Sequence, residues 1–213
     1  MTDTLHHKGR RRQLVEHLAE RFPFNSKVLE AIGQVPRHLF VEKGLDQFAY
    51  FDRPLSIGAN QTISQPFTVA MQTHLLALSK WDKVLEIGTG CGYQTAVLLE
   101  MGYRVFSIER QKSLYLQAQN NLFATGYKTA HLYYGDGFEG LAQFAPFQGI
   151  IVTCGASMIP QKLADQLVVG GRIVIPVGAT GQTMTVVKRL DDFSFEEETY
   201  GDYSFVPMLP GKV

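Results

Sequence analysis

The amino-acid sequence predicts an α/β fold, in which a mostly parallel β-sheet carries helices on both faces and an antiparallel hairpin closes one edge. Three observations predict it. From residue 81 onward, short β-branched runs ("KVLEIG", "RVFSIE", "AHLYYGD", "GIIVTC", "GRIVIPVG") alternate with helical patterns, as strands buried on both faces do. The first of these runs leads straight into "GTGCGY" (Gly88 to Tyr93), where glycines let the backbone turn sharply at the start of a helix. Near the end, "TMTVVKRL" and "EEETYGDYSFVPML" supply strands with no helix between them, which an edge hairpin accommodates.

In chain order, the basic cluster "HHKGRRR" (His6 to Arg12) is expected to be a solvated arm leading into a helix. Helical patterns follow at 11–22 and 26–35, with Ser26 as N-cap of the second and Pro36 as its stop. Residues 37–65 are irregular and rich in Gly, Pro, Asn and aromatic side chains. That is longer than an ordinary connection, and long loops in compact domains tend to carry function. Apolar residues recur at helical spacing over 65–80 (Val69, Met71, Leu75, Leu76, Leu78), and further helices are expected at 93–101, 112–124 and 160–167. One domain is expected over 1–213: N-terminal helices, long loop and linking helix in 1–80, a binding core in 81–190, and C-terminal strands and tail in 191–213.

At 213 residues the chain buries roughly 70% of the surface its unfolded form exposes, so neither a disulfide nor a metal staple is required. Lys+Arg and Asp+Glu both number 20, a balance that argues against a nucleic-acid partner. Cys91 and Cys154 lie in different segments without CxxC or ligand-spaced histidines, so no disulfide framework and no metal site are expected, and a reducing cytoplasm is. No apolar run approaches the ~20 residues of a membrane span, and the N-terminus lacks the apolar stretch of a secretory signal. A monomer with no membrane association is expected.

The glycine loop departs from a dinucleotide fingerprint, because its sixth position is Tyr93 where a third glycine belongs. Charge discriminates further. Glu86 stands two residues before Gly88, where a dinucleotide would bring its pyrophosphate, and like charges a few ångströms apart in a partly buried site are costly. A carboxylate there suits a cationic ligand, and S-adenosylmethionine offers a sulfonium and an ammonium with no phosphate. Glu109 closes the next strand, where a carboxylate can accept both ribose hydroxyls. Gly135-Asp136-Gly137 closes the third, and Asp136 is expected to receive the adenine amino group. Three acids at three successive strand ends beside a glycine loop point to a methyltransferase.

On those residues the chain resembles the protein-L-isoaspartate O-methyltransferases, which methylate abnormal isoaspartyl carboxylates in damaged proteins. The similarity runs from Arg11 to Gly211 and is carried by "VPRHLFV", "PLSIGANQTISQP", "VLEIGTGCGYQTA", Glu109, "GDG", "IIVT", "GGRIVIPVG" with Gln182 after it, and "FVPMLPG". The glycine loop alone is moderately specific, whereas "QTIS" upstream with "FVP" downstream is strongly so. The resemblance implies the Rossmann-like, seven-stranded class I methyltransferase sheet with N- and C-terminal additions. It puts S-adenosyl-L-methionine on Glu86, Gly88, Thr89, Gly90, Glu109, Asp136 and Gly137, and the active-site serine at Ser64. It implies that Thr62, Ile63, Phe205, Val206 and Pro207 line a cleft for isoaspartyl peptides. The chain departs from the family pattern at Asn60, commonly glycine, at "FQGI" (Phe147 to Ile150), and at "TCGAS" in place of an alanine-proline run.

The chemistry sets its own demands. A carboxylate is already ionised at pH 7, since its unperturbed pKa is about 4, so methyl transfer to it needs no general base. His17, His38, His74 and His131 are accordingly expected to be surface or structural. What the reaction needs is alignment and exclusion of water, and a hydroxyl at Ser64 can orient the carboxylate. Ser64 before Gln65-Pro66 also reads as the N-cap of the next helix. Cys91 is expected to fill the loop as a neutral thiol. Two rival readings are a methyltransferase of a small molecule or RNA and a noncatalytic S-adenosylmethionine- or peptide-binding adaptor. The first lacks the Asn/Asp-Pro-Pro-aromatic motif after the fourth strand, and the intact acids and Ser64 speak against the second.

Overall fold

The computed structural model describes residues 2–213. Helix α1 spans Leu5–Arg21, starting earlier than the sequence predicts, because Thr4 and His7 form a reciprocal capping box. The basic cluster therefore lies inside a helix and is not a solvated arm. Arg11 is buried, with Nε donating to the Gly33 carbonyl at 2.7 Å and Nη1 to the Tyr50 hydroxyl at 3.0 Å. Helix α2 (Ser26–Gln34) is capped by Asn25, whose side chain accepts from the Lys27 N–H, and Ser26 is its first helical residue.

The long loop is more ordered than its composition suggests. It holds 3-10 turns at Arg37–Phe40 and Asp46–Phe48, then a hairpin of strands β1 (Leu55–Gly58) and β2 (Gln61–Ile63). Ala59 and Asn60 turn that hairpin with φ of +50° and +55°. Asparagine tolerates this left-handed region better than other side chains, which explains how Asn60 stands in a glycine's place. Helix α3 (Pro66–Leu76) ends earlier than the sequence predicts, at left-handed Ala77.

The main sheet has seven strands: β3 (Lys83–Ile87), β4 (Arg104–Glu109), β5 (His131–Tyr134), β6 (Phe147–Val152), β7 (Leu167–Val177), β8 (Gln182–Arg189) and β9 (Phe195–Tyr203). Their order is β5-β4-β3-β6-β7-β8-β9, parallel from β5 to β7 and antiparallel across β7/β8 and β8/β9. Helices α4 (Tyr93–Glu100) and α5 (Lys112–Ala124) occupy their expected stretches. Helix α6 is only Gln161–Ala164, because Leu167 already belongs to β7.

Side chains alternate across each strand and feed two apolar layers. Val84, Ile151 and Val174 join the layer shared with α1 to α5, whereas Leu85, Ile150 and Ile173 join the layer under α6. The chain runs outward in two directions from the β3/β6 pair. The crevice above their C-terminal ends is where open α/β sheets bind ligands.

Candidate active site

The turn after β3 is held open by glycine geometry. Gly88 has φ +91°, and a Cβ there would lie 2.5 Å from the Thr153 hydroxyl oxygen. That hydroxyl donates to the Gly88 carbonyl at 2.7 Å, fastening the turn to the end of β6. At Gly137 a Cβ would approach Ile87 Cγ2 to 2.6 Å. At both positions a side chain would collide with Thr153 or Ile87, so glycine lets the strand ends pack this closely.

Above these glycines lies an open cavity. It brings together Gly88, Thr89, Gly90, Glu109 and Gly137 from the core strands, Thr62, Ile63 and Ser64 from the hairpin, and Val206 and Pro207 from the tail. Glu109 anchors the loop, its Oε2 accepting the Gly90 N–H at 2.9 Å and its Oε1 the Gln111 N–H at 2.8 Å. Each carboxylate oxygen keeps a further lone pair for a ligand hydroxyl.

Two acids sit differently from the sequence expectation. Glu86 is not at the mouth. It is fully buried within β3, outside the cavity wall, where its Oε2 accepts the Thr95 hydroxyl at 2.5 Å and its Oε1 has no partner. Burial pushes its carboxyl up to about 7, opposed by the Thr95 hydroxyl and the nearby Ser107, and the Glu109 charge adds to the rise. Asp136 is also outside the wall, with Oδ1 accepting the Phe138 N–H at 2.9 Å and Oδ2 the Gly211 N–H at 2.6 Å. Its carboxylate clasps the C-terminal tail, where the sequence reading assigned it to an adenine amino group.

A second cavity opens beside the first, and Phe205 lines this one only. Thr62, Ser64, Thr153 and Val206 line both, so the two spaces meet at these four residues. Ser64 does not cap α3. The cap position is Gln65, without a side-chain bond, and the Phe67 N–H is taken by Asp52 Oδ1 at 2.8 Å. The Ser64 side chain is thereby left to the junction of the cavities.

The tail is fixed by pairing with the "TCGAS" segment. The Gly155 N–H donates to the Val206 carbonyl at 2.8 Å, and the Met208 N–H to the Gly155 carbonyl at 2.7 Å. Gln182 Oε1 accepts the Phe205 N–H at 2.9 Å, and its side chain lies where a Cβ on residue 155 would fall, 2.8 Å away. Glycine at 155 is thus matched to Gln182. The sequence reading missed Thr153, Gln182 and Asp52 as site-building residues. Thr153 carried a signal, as the first residue past a strand whose neighbours end in ligand-facing groups, and Gln182 one through its place after "GGRIVIPVG", whereas Asp52 carried none.

Burial pushes the Cys91 thiol up to about 11 and that of Cys154 to about 12, so both stay neutral. His38 is buried and structural, its Nδ1 hydrogen-bonded with the Tyr50 hydroxyl at 2.7 Å. Asp3, His7 and His38 each offer a ligand atom, all within 4.8 Å of one another. Both Asp3 oxygens already accept from Arg11, and the His7 ring stacks on His38 at 3.8 Å.

The model of the protein-L-isoaspartate(D-aspartate) O-methyltransferase family matches residues 9–212. The chain is 50% identical over 212 residues to a protein-L-isoaspartate O-methyltransferase of Flavobacterium psychrophilum, covering 100% of both chains. Among solved structures it is similar to a protein-L-isoaspartate O-methyltransferase at TM-score 0.85 and 26% identity, over 92% of this chain and 65% of that one. It also shares its fold with a Plasmodium falciparum protein solved in complex with S-adenosyl-L-homocysteine, at TM-score 0.83 and 21% identity, over 93% and 98% of the two chains.

Proposed function

Since the chain belongs to the protein-L-isoaspartate(D-aspartate) O-methyltransferase family, we propose that it methylates the free carboxylate of L-isoaspartyl residues in damaged proteins and peptides, using S-adenosyl-L-methionine and leaving S-adenosyl-L-homocysteine. The methyl ester so formed initiates repair. The observation that carries this reading is the meeting of two cavities at Thr62, Ser64, Thr153 and Val206. One space suits the methyl donor and the other a peptide, and transfer requires that they touch.

The donor site fits its ligand on two counts. Gly88 and Gly137 carry no side chain into the cavity they line, and Glu86, buried behind its wall with Oε1 unpartnered, is a carboxyl whose anion a cation in the cavity would favour. Glu109 would hold the ribose, with Thr89 and Gly90 beside it. S-adenosyl-L-methionine supplies a methyl on a sulfonium. Ser64 and Thr62 orient the incoming carboxylate, Phe205 and Val206 wall the peptide space with Ile63 and Pro207 on the donor side of the junction, and the tail excludes water. No side chain has to move a proton, because the nucleophile arrives ionised.

The parts divide as substrate loop and linking helix in 1–80, cofactor-binding core in 81–190, and strands with closing tail in 191–213. Zero net charge supports protein rather than nucleic-acid substrates, two free cysteines support a reducing cytoplasm, and no helix among the described residues is long and apolar enough to cross a membrane. The protein acts as a monomer in this reading, since the site is built within one chain. The test offers labelled S-adenosyl-L-methionine with paired peptides differing only in isoaspartate or aspartate at one position. Base-labile label confined to the isoaspartyl peptide is expected; equal labelling of both, or cofactor binding without transfer, refutes the reading.

A further inference from the structure

Arg37 is fully buried, in the 3-10 turn that follows α2, and no carboxylate among the described residues pairs with it. Its Nε donates to the Ala49 carbonyl at 2.9 Å and its Nη2 to the Ser64 carbonyl at 2.8 Å. The guanidinium carbon lies 4.7 Å from the centre of the Tyr93 ring. Nη1 and the Tyr93 hydroxyl are both buried without a hydrogen-bond partner among the described residues. Tyr93 opens α4 and lines the first cavity, whereas Ser64 lines both. A single planar cation thus connects the glycine-loop helix, the long loop and the residue at the junction.

Burying an arginine on neutral acceptors and a ring face is costly, and an apolar side chain of similar volume would fill the space more favourably. The rigid fork does what no apolar group or lysine can do: it fixes two carbonyls from different parts of the loop in one plane, against one ring. We propose that Arg37 is a positioning residue for methyl transfer, which sets the place of Ser64 relative to the donor cavity through the Ser64 carbonyl. It touches neither reactant. A loop displaced by about 1 Å is enough to lower turnover on the order of 10²-fold, so its loss falls on kcat and leaves cofactor binding to the core strands.

The inference rests on the function proposed above, and the experiment keeps the two apart. Wild type, Arg37→Met, Arg37→Lys, Ser64→Ala and the Arg37→Met/Ser64→Ala double variant are compared for kcat and KM on an isoaspartyl peptide, for S-adenosyl-L-homocysteine Kd by calorimetry, and for Tm. Failure of the wild type to methylate the peptide overturns the function, whatever the variants do. With an active wild type, Arg37→Met is expected to lose at least tenfold in kcat with Kd within threefold, and Arg37→Lys to lose less, because it keeps one donor. In the Ser64→Ala background, Arg37→Met should cost under threefold, because the group it positions has gone. A kcat within twofold of wild type in folded Arg37→Met overturns the proposal, as does an undiminished loss in the Ser64→Ala background. Should Arg37→Met not fold, Arg37→Lys decides on the same terms: a Tm drop with unchanged kcat below that Tm overturns it.

Discussion

The Asp52 carboxylate reaches across the long loop to take the Phe67 N–H at 2.8 Å, so the helix that follows Ser64 is capped from outside its own sequence neighbourhood. The same carboxylate accepts from Gln65 Nε2 at 3.1 Å and pairs with Arg21. Asp52→Ala is expected to destabilise the protein by about 1–2 kcal/mol, the usual worth of a lost cap, and Asp52→Asn by less than half of that, since an amide oxygen can still accept. Urea unfolding of both variants measures it. Equal destabilisation by the two would show that the charge, not the cap, matters.

This cap also shows why the sequence misled locally while being right globally. Strand and helix identities were legible because they rest on period, as in "KVLEIG" and the 112–124 helix, which the structure reproduces as β3 and α5. Ser64 as N-cap was a reasonable local inference, but a residue twelve positions upstream wins the N–H by tertiary contact. The side-chain directions of Glu86 and Asp136 were not legible either. Position at a strand end says that a carboxylate is near the crevice, and not whether it faces the ligand, a neighbouring hydroxyl or the tail. Gln182 and Gly155 form a pair that only the fold brings together.

With its hydroxyl free of helix capping, Ser64 can be altered without loosening α3. Ser64→Ala is expected to lower kcat on the order of 10²-fold through lost alignment, while S-adenosyl-L-homocysteine affinity and Tm stay close to wild type. Steady-state kinetics beside calorimetry separates these. Turnover within twofold of wild type would remove Ser64 from the reaction.

Gly88→Ala combines two penalties. The left-handed φ of +91° strains any side chain, costing roughly 1–2 kcal/mol, and the added Cβ meets Thr153 Oγ1 at 2.5 Å. Cofactor affinity is expected to fall at least tenfold. Adding Thr153→Ala should recover part of that loss by removing the collision but not the strain. Binding isotherms for both variants test this, and no recovery in the double variant would place the whole effect in the backbone.

The buried Glu86 carboxyl makes a pH dependence that can be read in two ways. Its ordinary value of 4.5 rises to about 7 in the folded protein, chiefly through burial. Between these values the native state keeps a proton that the unfolded chain has lost, so the contribution to stability falls as pH rises through that window. Above pH 7 the ionised, half-partnered carboxylate costs about 3 kcal/mol relative to its form at low pH. A cationic ligand nearby favours the anion, so S-adenosyl-L-methionine binding is expected to release a proton near pH 6.5 and to tighten as pH rises through 7. Glu86→Gln should abolish both the proton release and the decline in stability. Calorimetry in two buffers of different ionisation enthalpy counts the proton. Buffer-independent heats for the wild type would mean that Glu86 does not change its protonation state when the cofactor binds.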